Sequence, residues 1–358
     1  MAIVMDRSIA SISSVTNNVR QDVFPVDQWT ITTRSGVIMQ SKCTCHKDSD
    51  GIRDINEKLC NICYYQSQLP QLYSMPDMLF NENVLRLEHL SGVGIEFNAL
   101  DALKKVQETK DPLQVAVSDG WQSARADCPF AKSITKPFDW TFTTDYRGTL
   151  LTAIKRASKA RTQSKPVHKL FSSLKGVDTA GPSSHTMHQS VNTTEKKTDQ
   201  PKDNTPEGER TTVQRSESSK DCQERISLLV EETNERIDVN KLTVKEEILF
   251  YDDVTLFEDE LADHGTASYS VKVRVMPQSL FILARFYLRV DGVLARINDT
   301  RIYHELNKRY LIREYTNREA KLSSLDLPIA TVINPNELMH RLPIIQSQYE
   351  KLTVPRMI

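Results

Sequence analysis

The sequence predicts an α+β fold: antiparallel β-sheets with flanking helices, in a single domain interrupted by a long insert. Three observations lead there. Runs of period-two apolar alternation recur along the chain, the mark of strands with one face on a core. Most are joined by tight-turn residues and not by stretches long enough for crossover helices, which favours antiparallel pairing. Between Lys175 and Arg225 there is no Ile, Leu, Phe, Tyr or Trp, so that segment cannot bury enough apolar surface to offset its ordering entropy.

These observations divide the chain. Residues 1–20 read as a flexible N-terminus, 21–154 and 226–354 as the core domain, 43–68 as a Cys-rich insertion within it, and 155–225 as a basic and then low-complexity disordered insert. Charge is nearly balanced, with 46 basic and 47 acidic residues, which gives no argument for a nucleic-acid or membrane partner. No apolar run is long enough to span a bilayer, and the first residues lack a signal-peptide core. Six cysteines without a secretory signal point to a reducing, cytosolic setting.

In chain order, Trp29 to Thr33 alternates, and Ser35-Gly36 predicts a turn into Val37–Met39. Val84–Leu90 and Val93–Phe97 predict a second hairpin around Ser91-Gly92. Asn98, with Asp101 three residues on, predicts a capped short helix. Leu113–Ser118 reads as a brief strand, and Phe138–Thr143 as another that stops around Asp145–Gly148. Asp238 predicts a cap for a helix over Val239–Phe250, and Tyr269–Val275 alternates as a strand ending before Pro277.

The even residues Leu280 to Val290 are all apolar, and Asp291-Gly292 predicts a two-residue type I′ turn. That turn places Val290 opposite Val293, Leu288 opposite Ala295, Phe286 opposite Ile297 and Ala284 opposite Asp299, with a carboxylate at the rim of an apolar face. Thr316 with Glu319 predicts a capping box and a helix to about Ser324; Asn334-Pro335 predicts a last helix.

Three constellations carry possible chemistry. Cys43-x-Cys45 and Cys60-x-x-Cys63, fourteen residues apart, can supply four thiolates to a tetrahedral zinc, with His46 as a replacement ligand; the alternative is a loop of unligated thiols. Lys155–Lys175 holds seven basic residues and no acid, which reads as a solvated tail, a nuclear-import signal or an anionic-surface contact. Within it, Ser158 follows Lys155-Arg156-Ala157 in the manner of a basophilic kinase site. Glu258, Asp259, Glu260, Asp263 and His264 are the one cluster suited to acid–base work, yet they lack a defined ligand spacing and sit at a turn. Catalysis is not expected.

Several blocks resemble, in order, the TOR signalling pathway regulator-like (TIP41-like) family. They are MPDMLFNENVLRLEHLSGVGIEFNALDAL from Met75, KPFDWTFTTDYRGTLL from Lys136, IDVNKLTVKEEILFYDDVTLFEDELADHG from Ile237, then LIREY, REAKLSSL and NPNEL. The resemblance covers most of residues 21–42, 69–154 and 226–354. It implies an antiparallel α+β domain that is not an enzyme. It further implies binding to the catalytic subunits of the type 2A, 4 and 6 protein phosphatases through a groove that receives their C-terminal tail, restraining activity or assembly downstream of TOR. The family's contact positions fall on Asp101, Ile237, Ile297 and Asp299; other members typically carry Met where Ile297 stands. Read alone, Asp101 suits a helix's first turn, Ile237 a hydrophobic staple and Ile297 a core. The alternative function is a zinc-stapled adaptor whose Cys-rich loop selects a different protein partner.

Overall fold

The computed structural model describes residues 12–16, 18–45, 59–72, 74–106, 123, 141–154 and 225–356. The described residues all belong to one unit. Expectations for His46, Leu113–Ser118, Phe138–Trp140, Ser158, Lys155–Lys175 and the low-complexity stretch lie outside the described residues.

The strands are β1 (Ile12–Thr16), β2 (Val19–Val26), β3 (Trp29–Ser35), β4 (Met78–Leu79), β5 (Val84–His89), β6 (Gly94–Asn98), β7 (Thr149–Leu151) and β8 (Ala153–Ile154). There follow β9 (Arg225–Ile226), β10 (Leu229–Glu232), β11 (Phe250–Asp259), β12 (Gly265–Val275), β13 (Ser279–Val290), β14 (Leu294–Glu305), β15 (Tyr310–Lys321) and β16 (Ile344–Thr353). Short helices are α1 (Asn61–Gln68), α2 (Ala99–Lys104), α3 (Val239–Thr243), α4 (Ile329–Val332) and α5 (Pro335–Leu338). Among the described residues, no helix is long and apolar enough to cross a membrane.

Strands predominate, pairing is antiparallel, and the α+β expectation is borne out. One sheet runs β1-β2-β3-β5-β6-β7; a larger one runs β10-β16-β15-β14-β13-β12-β11-β4. Alternation explains their packing. Phe24, Ile31, Leu85, Leu87, Ile95 and Phe97 of the first sheet meet Val254, Val271, Val273, Leu280, Ile282 and Phe286 of the second in one buried cluster. The even residues of β13 all join it, as their periodicity predicts.

The register of the β13–β14 hairpin differs from expectation by one residue. Val290 pairs with Leu294, Tyr287 with Ile297 and Arg285 with Asp299. Within Asp291-Gly292 only the glycine takes a positive φ, 71°, and the Val293 amide donates to the Val290 carbonyl. That is the type II pattern, with glycine in third place, and Val293 is drawn into a three-residue loop. Ile297 and Asp299 therefore face away from the main core, on the opposite side of the large sheet.

Other differences have local causes. The Thr316–Glu319 stretch is strand, not helix: β15 pairs along its length with β14 and β16, and Glu319 accepts from Arg296 Nε at 2.6 Å. Tertiary pairing overrides a local capping signal there. Asp238 does cap a helix, accepting from the Asn240 amide at 3.0 Å, but α3 stops at Thr243 because it buries no side chain. Residues 36–40 form no hairpin with β3; Gly36 donates to Asn83 Oδ1 and Met39 to the Leu79 carbonyl, while β3 pairs with β2 and β5. Phe142 sits at φ 56°, outside any strand, and is buried in the main cluster. Strands β1 and β2 begin inside the stretch read as a flexible terminus.

Candidate functional site

Asp101 occupies the first turn of α2, placed by the cap the sequence predicted: Asn98 Oδ1 accepts from the Asp101 amide at 2.8 Å. Its carboxylate accepts from Thr149 Oγ1 at 2.6 Å and Asn98 Nδ2 at 3.0 Å, with Lys104 Nζ at 3.7 Å. Thr149 comes from the start of β7, just after Gly148 at φ 92°. A side chain on Gly148 would meet Ile95 Cδ1 at 2.6 Å, so only glycine lets this turn approach β6.

Between α2 and that turn lies a cleft of about 570 Å³, lined by Asp101, Lys104, Lys105, Asp145, Arg147 and Arg313 among others. Its back is braced. Arg147 lies 3.9 Å over the Tyr315 ring and donates to Gln348 Oε1. Arg313 pairs with Glu350 at 2.7 Å and donates to the Arg147 carbonyl at 3.3 Å. The Tyr146 hydroxyl donates to the Glu96 carbonyl at 3.0 Å, and burial pushes its phenol well above the usual tyrosine range. The named rim and wall hold four basic groups against two carboxylates.

The other three predicted positions lie on the outward face of the large sheet. Ile237 packs with Tyr303 and Ile312, and its amide donates to Glu314 Oε1 at 2.8 Å. Ile297 packs with Tyr287, Ala295, Leu338 and Leu342. Asp299, 0 % exposed, accepts a fork of two bonds from Arg285: Nε to Oδ1 at 2.6 Å and Nη2 to Oδ2 at 2.8 Å. Arg285 also donates to Asn336 Oδ1 at 2.8 Å, tying the pair to α5, and Arg301 stands 3.7 Å from Asp299. Burial, then Arg301 and Arg285, lowers the Arg318 pKa.

The four cysteines converge: Sγ atoms of Cys43, Cys45, Cys60 and Cys63 all lie within 4.8 Å of one another, and among the described residues no other such metal-ligating group forms. The acidic cluster has a different use. Asp259 accepts from the amides of Asp77 at 3.0 Å and Leu261 at 2.7 Å, bracing a turn of three successive positive-φ residues from Leu261 to Asp263. Burial raises the Glu258 carboxyl above the ordinary glutamate range.

A model of the TIP41-like family matches residues 78–326. The chain belongs to this family. It is 40 % identical over 286 residues to a human TIP41-like protein, covering 80 % of this chain and 79 % of that one. An Arabidopsis thaliana TIP41-like protein is 34 % identical over 291 residues, 78 % of this chain and 80 % of its own. A Saccharomyces cerevisiae protein named type 2A phosphatase activator TIP41 is 29 % identical over 351 residues, covering 91 % and 73 %. The last of these names describes an activator of a phosphatase.

Within this TIP41-like chain, then, the structure does not gather the four expected contact positions into one groove. Asp101 borders an open cleft; Ile297 and Asp299 lie beneath the segment that contains α5, and Ile237 beside α3. Sequence reasoning passed over Arg285, Arg147 and Arg313. Arg285 had a signal, an opposite charge directly across from Asp299, hidden by the one-residue register difference. Arg147 and Arg313 had none, since only the sheet topology brings Tyr146-Arg147-Gly148 beside β15.

Proposed function

We propose that this chain is a non-catalytic regulator that binds the catalytic subunits of type 2A-like protein phosphatases, types 2A, 4 and 6, acting in the cytosol within TOR signalling. Membership of the TIP41-like family, one of whose yeast members is named a type 2A phosphatase activator, carries this reading. The docking surface is the cleft beside Asp101. There Lys104, Lys105 and Arg147 offer positive charge to the carboxylate that ends a C-terminal tail, and Asp101 offers an acceptor to its amides or hydroxyls. Ile237, Ile297 and Asp299 contribute through the outward layer they hold in place, not by touching the tail. The family resemblance implies restraint of the enzyme, and the yeast name says activation; docking of the tail underlies either sign.

The test is affinity of the full chain for a type 2A catalytic subunit, intact and with its C-terminal tail removed, with phosphatase turnover followed in parallel. Removal of the tail, and separately Arg147→Glu, are expected to weaken binding at least about tenfold, since a reversed charge at a complementary contact costs on the order of kcal/mol. Binding insensitive to both changes moves the contact elsewhere on the molecule. No binding to any of the three phosphatases overturns the reading.

A further inference from the structure

The Cys-rich insertion sits outside that cleft and has chemistry of its own. Two arms bring its cysteines together. Cys43 and Cys45 lie on an irregular segment after β3, while Cys60 precedes α1 and Cys63 lies in its first turn. We propose that Cys43, Cys45, Cys60 and Cys63 form a tetrathiolate zinc site that staples the insertion to the core.

Geometry supports this. Cys43 Sγ is 3.3 Å from Cys63 Sγ and 3.8 Å from Cys60 Sγ, and all four sulfurs fall within 4.8 Å. Zinc–sulfur bonds of about 2.3 Å in a tetrahedron set sulfurs about 3.8 Å apart, so a modest adjustment completes the site. The Cys60 amide donates to Cys45 Sγ at 3.1 Å, the outer bond that steadies a metal-bound thiolate. Four soft sulfur donors select zinc over the hard cations magnesium and calcium. With every position filled by protein, the ion leaves no place for substrate and is structural.

Its mechanical effect follows from what α1 touches. Tyr65 and Leu69 are buried in the main core, and the Tyr65 hydroxyl donates to the Asn81 carbonyl at 3.4 Å. Just beyond the helix, Gln71 Nε2 donates to the Leu103 carbonyl at the end of α2. A closed metal clip therefore fixes α1 against the helix that carries Asp101.

The full chain, purified without a metal-affinity tag from zinc-supplemented cells under reducing conditions, is expected to carry one zinc by elemental mass spectrometry. Cys60→Ser with Cys63→Ser is expected to lose it. Replacement by cobalt(II) should give the intense visible bands of tetrahedral sulfur coordination. Zinc removal should release four reactive thiols and speed amide exchange over residues 59–72. If the double variant does not fold, the metal content and cobalt spectrum of the unmodified chain decide alone. A chain with no bound zinc and no tetrahedral cobalt spectrum, or with these cysteines joined as disulfides, overturns the proposal.

Discussion

The two faces of β13 solve the problem of burial in opposite ways. Inward, Leu280, Ile282, Ala284, Phe286, Leu288 and Val290 give an unbroken apolar row against the first sheet. Outward, the strand presents Phe281, Leu283, Arg285, Tyr287 and Arg289, and its Arg285 is nearly as buried as its neighbours because Asp299 neutralises it. The inward face needs only a second sheet. The outward face needs a charge pair in good geometry and then a cover, here the segment of two four-residue helices, α4 and α5. Stability resides mainly in the first face, and the shape of the outer layer in the second.

Arg285→Met tests that division most severely. It strips the forked partner from a fully buried carboxylate and is expected to cost about 3–5 kcal/mol in urea denaturation. Adding Asp299→Leu should restore most of the loss, because an apolar pair of similar volume no longer carries an unmatched charge. Failure of the double variant to recover would mean that the bonds onward to Asn336 and α5, and not the charge pair, dominate.

Leu338→Ala sharpens the comparison by attacking the cover alone. Leu338 is fully buried against Ile297 and Leu342, yet its helix is short enough to settle into the space left behind. A loss of about 2 kcal/mol is expected, at the low end for such truncations. Hydrogen exchange should quicken at 329–342 and stay slow along β13. Equal quickening on both would show that the cover and the sandwich open as one unit.

How much of this was legible in the sequence depended on the range of the force involved. The inward row of β13, the Asn98 cap and the Asn334-Pro335 helix start are local patterns, and the structure contains each. The outward face was misread because its strand register hinged on whether Asp291-Gly292 takes two loop residues or draws in Val293 as a third. Thr316 and Glu319 made a sound local capping signal, but two neighbouring strands claimed that backbone. The convergence of the cysteines was foreseen as a possibility from spacing alone; the cleft's arginines were not, since they meet across strands distant in sequence.

The smallest effect concerns a titratable group that the inward face holds neutral instead of pairing. His304, opposite Leu280, packs edge-on against Trp29 with ring centroids 5.4 Å apart, and its Nδ1 meets the Tyr310 carbonyl at 2.9 Å. Burial lowers its pKa and His89 pushes the same way; Asp27, Glu305 and the Tyr310 bond oppose without prevailing. His89, whose ring centroid lies 5.0 Å from that of the same Trp29, is also lowered, by burial and then Arg309. Because the folded pKa lies below the unfolded value of about 6.5, the unfolded chain takes up protons first. Stability is therefore full above that value and is lost as pH falls from it through the lower folded pKa. His304→Asn keeps a donor for the Tyr310 carbonyl and should flatten, not abolish, this acid slope, since His89 remains. Denaturation midpoints across that window, followed by tryptophan fluorescence, provide the check; an unchanged slope would show that His304 does not carry the acid sensitivity.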